Sequence, residues 1–113
     1  MTIIKISAIA LVVALAAAPS VAQAASEGCS VSISDGFCRT APVAANPNGN
    51  FVHVTVSGPC DLFSVIDVNN GVSVYSASTG WGGFEKTLPF VYSEYSVSIF
   101  NGLWPFTSTR INN

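Results

Sequence analysis

Apolar and polar residues alternate with a period of two in several short stretches of this chain, and that period belongs to half-buried β-strands. Cys29 to Ser34 shows it first, and Asp35-Gly36 ends the run with turn chemistry. Phe51 to Val56 repeats it, with Val52, Val54 and Val56 on one face and Phe51, His53 and Thr55 on the other. Tyr95 to Phe100 does so again, with Tyr95, Val97 and Ile99 inward. Phe37 to Thr40, Phe84 to Leu88 and Phe106 to Ile111 read as shorter strands, the last returning across an Asn101-Gly102 turn. Ala41 to Asn50 holds two prolines and an Asn-Gly pair and reads as a loop. No helical period appears after residue 24.

Leu62 to Ser76 is the clearest single element, a β-hairpin turning at Asn69-Asn70-Gly71. A two-residue turn sets Val68 against Ser73 and Asp67 against Val74, which mixes apolar with polar. A three-residue loop with Gly71 in the left-handed region sets Val68 opposite Val72, Asp67 opposite Ser73, Ile66 opposite Val74 and Val65 opposite Tyr75. Like then faces like, so this register is expected.

Seven to eight short strands in one small domain predict an all-β fold, an antiparallel β-sandwich. The stretch Thr87 to Ile99, in which a Tyr opens an alternating strand after a short apolar crossing, resembles the tyrosine-corner region of immunoglobulin-like and fibronectin type III domains. The resemblance spans 13 residues and lacks the core Trp and the inter-sheet cysteines at antibody spacing. It implies an immunoglobulin-like or similar sandwich and carries no function with it.

The first 24 residues stand apart from this pattern. Lys5, the apolar run Ala8 to Ala18, the break at Pro19-Ser20 and the small-residue site Ala22-Gln23-Ala24 read as a secretory signal peptide cleaved after Ala24. The apolar run is too short for a comfortable span, so a retained anchor is the weaker reading. The expected mature domain is 25–113, a secreted, extracellular protein with no membrane insertion after cleavage. Its Arg39, Lys86 and Arg110 stand against Glu27, Asp35, Asp61, Asp67, Glu85 and Glu94, a net charge of −3. Without a basic cluster, nucleic acid is not an expected partner.

Export makes a disulfide the default for Cys29, Cys38 and Cys60, and the odd count leaves one cysteine over. Three pairings are open. Cys38 and Cys60 both sit at strand edges beside turn residues, which favours Cys38 with Cys60. Cys29, in phase with Val31 and Ile33, is then the odd cysteine, buried or linking two chains into a disulfide-bonded homodimer.

Candidate chemistry is sparse. His53 is the only histidine, and a Cys with His53 and Asp67 makes a conceivable nucleophilic set, but no accompanying motif supports it. The Cys and His spacings lack a chelating pair, so no metal and no cofactor are expected. Asp67 is expected to meet Ser73 across the hairpin, and Asp61 to serve a turn. Trp81 lies among glycines in Ser-Thr-Gly-Trp-Gly-Gly, and Trp104 follows the Asn101-Gly102 turn; with Tyr75 and Tyr92 they are the candidate binding residues. The expectation is a non-catalytic binding protein, of the effector, inhibitor or toxin-like kind, acting on an extracellular protein or glycan. The alternatives are a carbohydrate-binding module using the Trp and Tyr rings, a disulfide-linked surface structural protein and, least supported, a hydrolase built on His53.

Overall fold

The computed structural model describes residues 25–89 and 91–113. The expected signal peptide, residues 1–24, lies outside them. The described residues form nine strands and no helix: β1 (Ser26–Ser30), β2 (Cys38–Arg39), β3 (Val43–Ala44), β4 (Phe51–Ser57), β5 (Cys60–Asp67), β6 (Ser73–Thr79), β7 (Phe84–Pro89), β8 (Glu94–Gly102) and β9 (Ser108–Asn112). One antiparallel sheet runs β1-β9-β4-β7; the other runs β2-β8-β5-β6, with β3 also on β8. The two sheets make a small β-sandwich.

Period-two patterning builds the core. Val52, Val54 and Val56 of β4 and Ile111 of β9 face Phe63 and Val65 of β5 and Tyr95, Val97 and Ile99 of β8, all of them buried. Phe63 is fully buried against Phe84, their ring centroids 4.8 Å apart, and Tyr75 closes the same side of the core. Burying a side chain of this size contributes roughly 1.5–3 kcal/mol.

Five strands, β4 to β8, pair with one another in the order found in an immunoglobulin-like sandwich. β4 pairs with β7 in one sheet, while β5 lies between β8 and β6 in the other. The flanks are filled differently. C-terminal β9 lies beside β4, where such a domain places its first strand, and N-terminal β2 and β3 lie beside β8, where it places its last. Tyr95, at the start of β8, is buried, and its Oη accepts the Tyr92 amide at 3.1 Å. That bond closes the tyrosine corner expected from the sequence.

Several expectations are corrected. The first strand ends at Ser30 rather than Ser34, because Ser32 to Phe37 fold into a turn. Ser32 N–H bonds the Phe37 carbonyl at 3.1 Å, and the Asp35 carboxylate accepts the Ser32 hydroxyl and the Phe37 amide. Ile33 is therefore exposed, not inward. The residues after that turn pair with β8 in the opposite sheet. Asn101-Gly102 is not a hairpin turn; both residues belong to β8, and β9 joins the other sheet.

The hairpin register holds at Val65↔Tyr75 and then shifts to Ile66↔Ser73. The loop has four residues, closed by Asp67 N–H to the Val72 carbonyl at 2.9 Å and Gly71 N–H to the Asp67 carbonyl at 2.8 Å. Gly71 takes the expected left-handed conformation, φ 75°. Asp67 accordingly does not serve Ser73: its carboxylate accepts the Asn69 amide and the Ser93 hydroxyl, each at 2.9 Å. The carboxylate holds the longer loop, and the extra residue is absorbed as a bulge at Val74.

The disulfide also differs from expectation. Cys29 is bonded to Cys38, with Cα atoms 6.1 Å apart, and Cys60 is the free cysteine. The Ser32 to Phe37 turn brings β1 and β2 together at the edge of the sandwich, within disulfide reach. Cys60 is buried, with Sγ 3.4 Å from Thr79 Oγ1.

Candidate functional site

Four connections converge on one end of the sandwich: residues 31–37, 58–59, 80–83 and 103–107. All but the second project apolar side chains, each for a local reason. In the first, the turn around Asp35 turns Ile33 outward, and the Gly36 carbonyl accepts the Gly102 amide at 2.9 Å. Gly36 has φ 65°, and a Cβ there would lie 2.4 Å from the Gly102 oxygen, so only glycine allows this approach.

Trp81 sits at the tip of a turn closed by Gly83 N–H to the Gly80 carbonyl at 3.1 Å. Leu103 to Thr107 form a compact turn in which the Leu103 carbonyl accepts the Phe106 and Thr107 amides. Thr107, buried, pins that turn: its hydroxyl accepts the Leu103 amide at 2.8 Å and donates to the Pro59 carbonyl at 2.6 Å. With its backbone bonds used internally, the turn exposes Leu103, Trp104 and Phe106 together.

The result is a contiguous apolar end. Ile33 is 72% exposed, Trp81 67%, Phe106 56% and Trp104 51%. Trp81 and Phe106 meet edge to face with centroids 5.4 Å apart and planes at 68°. Ile33, Leu103 and Trp104 line one shallow depression between the first and last loops. Phe37 packs on Phe100 at 5.4 Å, carrying the surface onto the outer face of β8. No Lys or Arg belongs to these four loops. Their one carboxylate, Asp35, is held below the usual aspartate range, first by the Ser32 hydroxyl and then by the Phe37 amide.

Trp81 and Trp104, expected from the sequence, thus belong to one surface. Tyr75 and Tyr92 do not. Tyr75 is half-buried at the core's edge, its ring 5.5 Å from Phe84 and 5.9 Å from Lys86 Nζ. Tyr92 is exposed beside the corner at the opposite end, in a depression with Asn69, Ser93 and Glu94. Ile33, Leu103 and Phe106 escaped the sequence reading, which placed Ile33 inward and Phe106 in a strand. One signal was present: Leu103-Trp-Pro-Phe106 is uninterrupted apolar sequence beside a turn, and a period-two strand cannot bury all of it.

His53 lies on the outer face of the β4 sheet, with Nε2 2.8 Å from Glu85 Oε2 and Nδ1 2.8 Å from Thr87 Oγ1. Cys60 and Asp67 belong to the other sheet, so the Cys, His53 and Asp67 set is not assembled. Among the described residues, no group of three or more His, Cys, Asp and Glu side chains is placed to hold a metal ion. No family model matches the chain, and no curated protein and no solved structure matches it either.

Proposed function

We propose that this is a secreted, non-catalytic binding protein whose partner is another extracellular protein, held at the apolar end. The observation that carries the reading is the joint exposure of Ile33, Trp81, Leu103, Trp104 and Phe106 on loops held by internal hydrogen bonds. A small soluble domain exposes a patch of this kind at a cost in solubility, and such patches mark interaction sites. Trp is the residue most enriched among interface anchors, and pre-formed loops lose little entropy on binding. A lipid surface fits less well, since no Lys or Arg in these loops meets anionic headgroups and their irregular backbone is ill suited to hydrocarbon. The Cys29–Cys38 disulfide is compatible with an oxidising compartment.

Trp81→Ala combined with Phe106→Ser changes only exposed side chains, so stability should move by less than about 1 kcal/mol. Partner recovered from extracellular medium on the native protein should be lost on this variant; equal recovery on both would remove the apolar end as the binding surface. The mass of protein collected from the medium should correspond to a chain starting at Ala25.

Binding of a glycan is the second reading, favoured by the depression beside Trp81, where Thr55, Ser57 and Glu85 supply polar groups next to the ring. Against it, the edge-to-face Trp81–Phe106 pair offers no coplanar platform for a sugar. Titration with glucan, chitin and mannan separates the two: a Trp emission shift abolished by Trp81→Ala selects the glycan, and a flat response selects the protein.

A further inference from the structure

The depression between the first and last loops of the apolar end has an uneven lining. Ile33, Leu103 and the half-exposed Trp104 form apolar walls, and Asp35 and Asn101 lie on the same lining. The segments that carry them are fixed against each other by the bond from the Gly102 amide to the Gly36 carbonyl, 2.9 Å. Asp35 takes two bonds within its turn, from the Ser32 hydroxyl and the Phe37 amide, and both engage Oδ1. Among the described residues, no other residue donates to Oδ2. The same two bonds favour the charged carboxylate, so Asp35 is ionised at neutral pH. Asn101 Nδ2 donates to Asp61 Oδ2 at 3.1 Å, which sets a second carboxylate beside this rim. No Lys or Arg in the four loops balances the two charges.

We propose that this depression receives a basic side chain, Lys or Arg, presented by the extracellular partner. Its cationic head is held between Asp35 Oδ2 and the Trp104 ring, and its alkyl stem lies along Ile33 and Leu103. The inference rests on the apolar end being the binding surface and names what that surface selects. Each part of the lining suits a different part of such a side chain. A cation is attracted to the face of an aromatic ring, most strongly to that of Trp. Lys and Arg bury their stems along apolar surface while the charged head stays in water at the mouth. The carboxylate oxygen that the turn leaves over accepts a charge-assisted hydrogen bond, stronger than a neutral one. A sugar is served less well, because it needs several free polar groups beside the ring, and the Asn101 amide nitrogen and the Ser32 hydroxyl are already engaged. An acidic partner side chain would meet Asp35 and Asp61 as like charges.

Lysine and norleucine, each as its N-acetyl methylamide, test the proposal, since norleucine has the same alkyl stem without the ammonium. Both are titrated into the mature protein at constant ionic strength and followed by NMR. The lysine probe should shift the Trp104 indole N–H and the amides of residues 35–37 saturably, and bind about fivefold or more tighter than norleucine. Asp35→Asn keeps an Oδ1 for both turn bonds and should remove most of that difference. Added salt should weaken the lysine probe and leave norleucine unchanged. Norleucine binding as tightly as lysine overturns the proposal, as does an unchanged lysine affinity in Asp35→Asn. Recovery of partner from extracellular medium separates this inference from the reading it rests on. Loss on Trp81→Ala with Phe106→Ser, but equal recovery on Asp35→Asn and the native protein, overturns the basic side chain alone; equal recovery on all three removes the apolar end as well.

Discussion

Asp35 illustrates how one side chain shapes the apolar end. Its carboxylate accepts the Ser32 hydroxyl and the Phe37 amide, and these bonds favour the ionised form. The sign follows directly. A carboxyl whose folded pKa is depressed contributes its stabilisation above the unfolded value, about 3.9, and loses it as pH falls through the lower folded value. The carboxyl is fully exposed, so the consequence is local order in residues 32–37 rather than global stability. In an acid titration followed by NMR, the Phe37 amide should shift with a midpoint below that of an ordinary aspartate. Asp35→Asn should abolish that titration; an unchanged Phe37 profile in the variant would refute the assignment. The same turn positions Ile33, whose exposure alternation alone would not foretell.

Among the elements, the join between β7 and β8 shows what one side-chain hydrogen bond adds to packing. Tyr95 Oη accepts the Tyr92 amide while its ring is buried against the core, so ring and hydroxyl together fix where the chain enters β8. Tyr95→Phe keeps the ring and removes the acceptor. It should cost about 1 kcal/mol, more if the amide is left without water, measured as a lower urea midpoint at unchanged slope. A loss within error would mean that the corner is held by packing alone. The Thr87 to Ile99 pattern made this join legible because ring, spacing and strand all lie in one local segment. The β5–β6 hairpin was legible for the same reason as far as Val65↔Tyr75, where alternation sets the register. Nearer the turn the Asp67 carboxylate decides, and a side chain capping a loop leaves no periodic trace.

Across the whole molecule, the Cys29–Cys38 disulfide ties one sheet to the other at their shared edge and encloses the loop that carries Ile33. Closing a loop of this length contributes about 2.5 kcal/mol by restricting the unfolded chain. Cys29→Ser should therefore lower stability by about that much in denaturant melts, a large share of what a domain of this size possesses. Cys60, buried in the core, should resist alkylation in the native protein and react only on unfolding. Rapid labelling of the native thiol would contradict its placement. The amino-acid sequence determined the all-β class, the inward Val, Tyr and Ile positions of β4 and β8, the tyrosine corner and the two Trp-bearing loops. Each of these follows from alternation or turn chemistry within a few neighbouring residues. Tertiary structure alone decided which sheet each strand joins, which cysteines meet, and that Trp81 and Phe106 touch while Tyr75 and Tyr92 lie elsewhere. Those outcomes depend on pairings between distant segments, and strands of similar composition can be exchanged in such pairings without altering any local pattern.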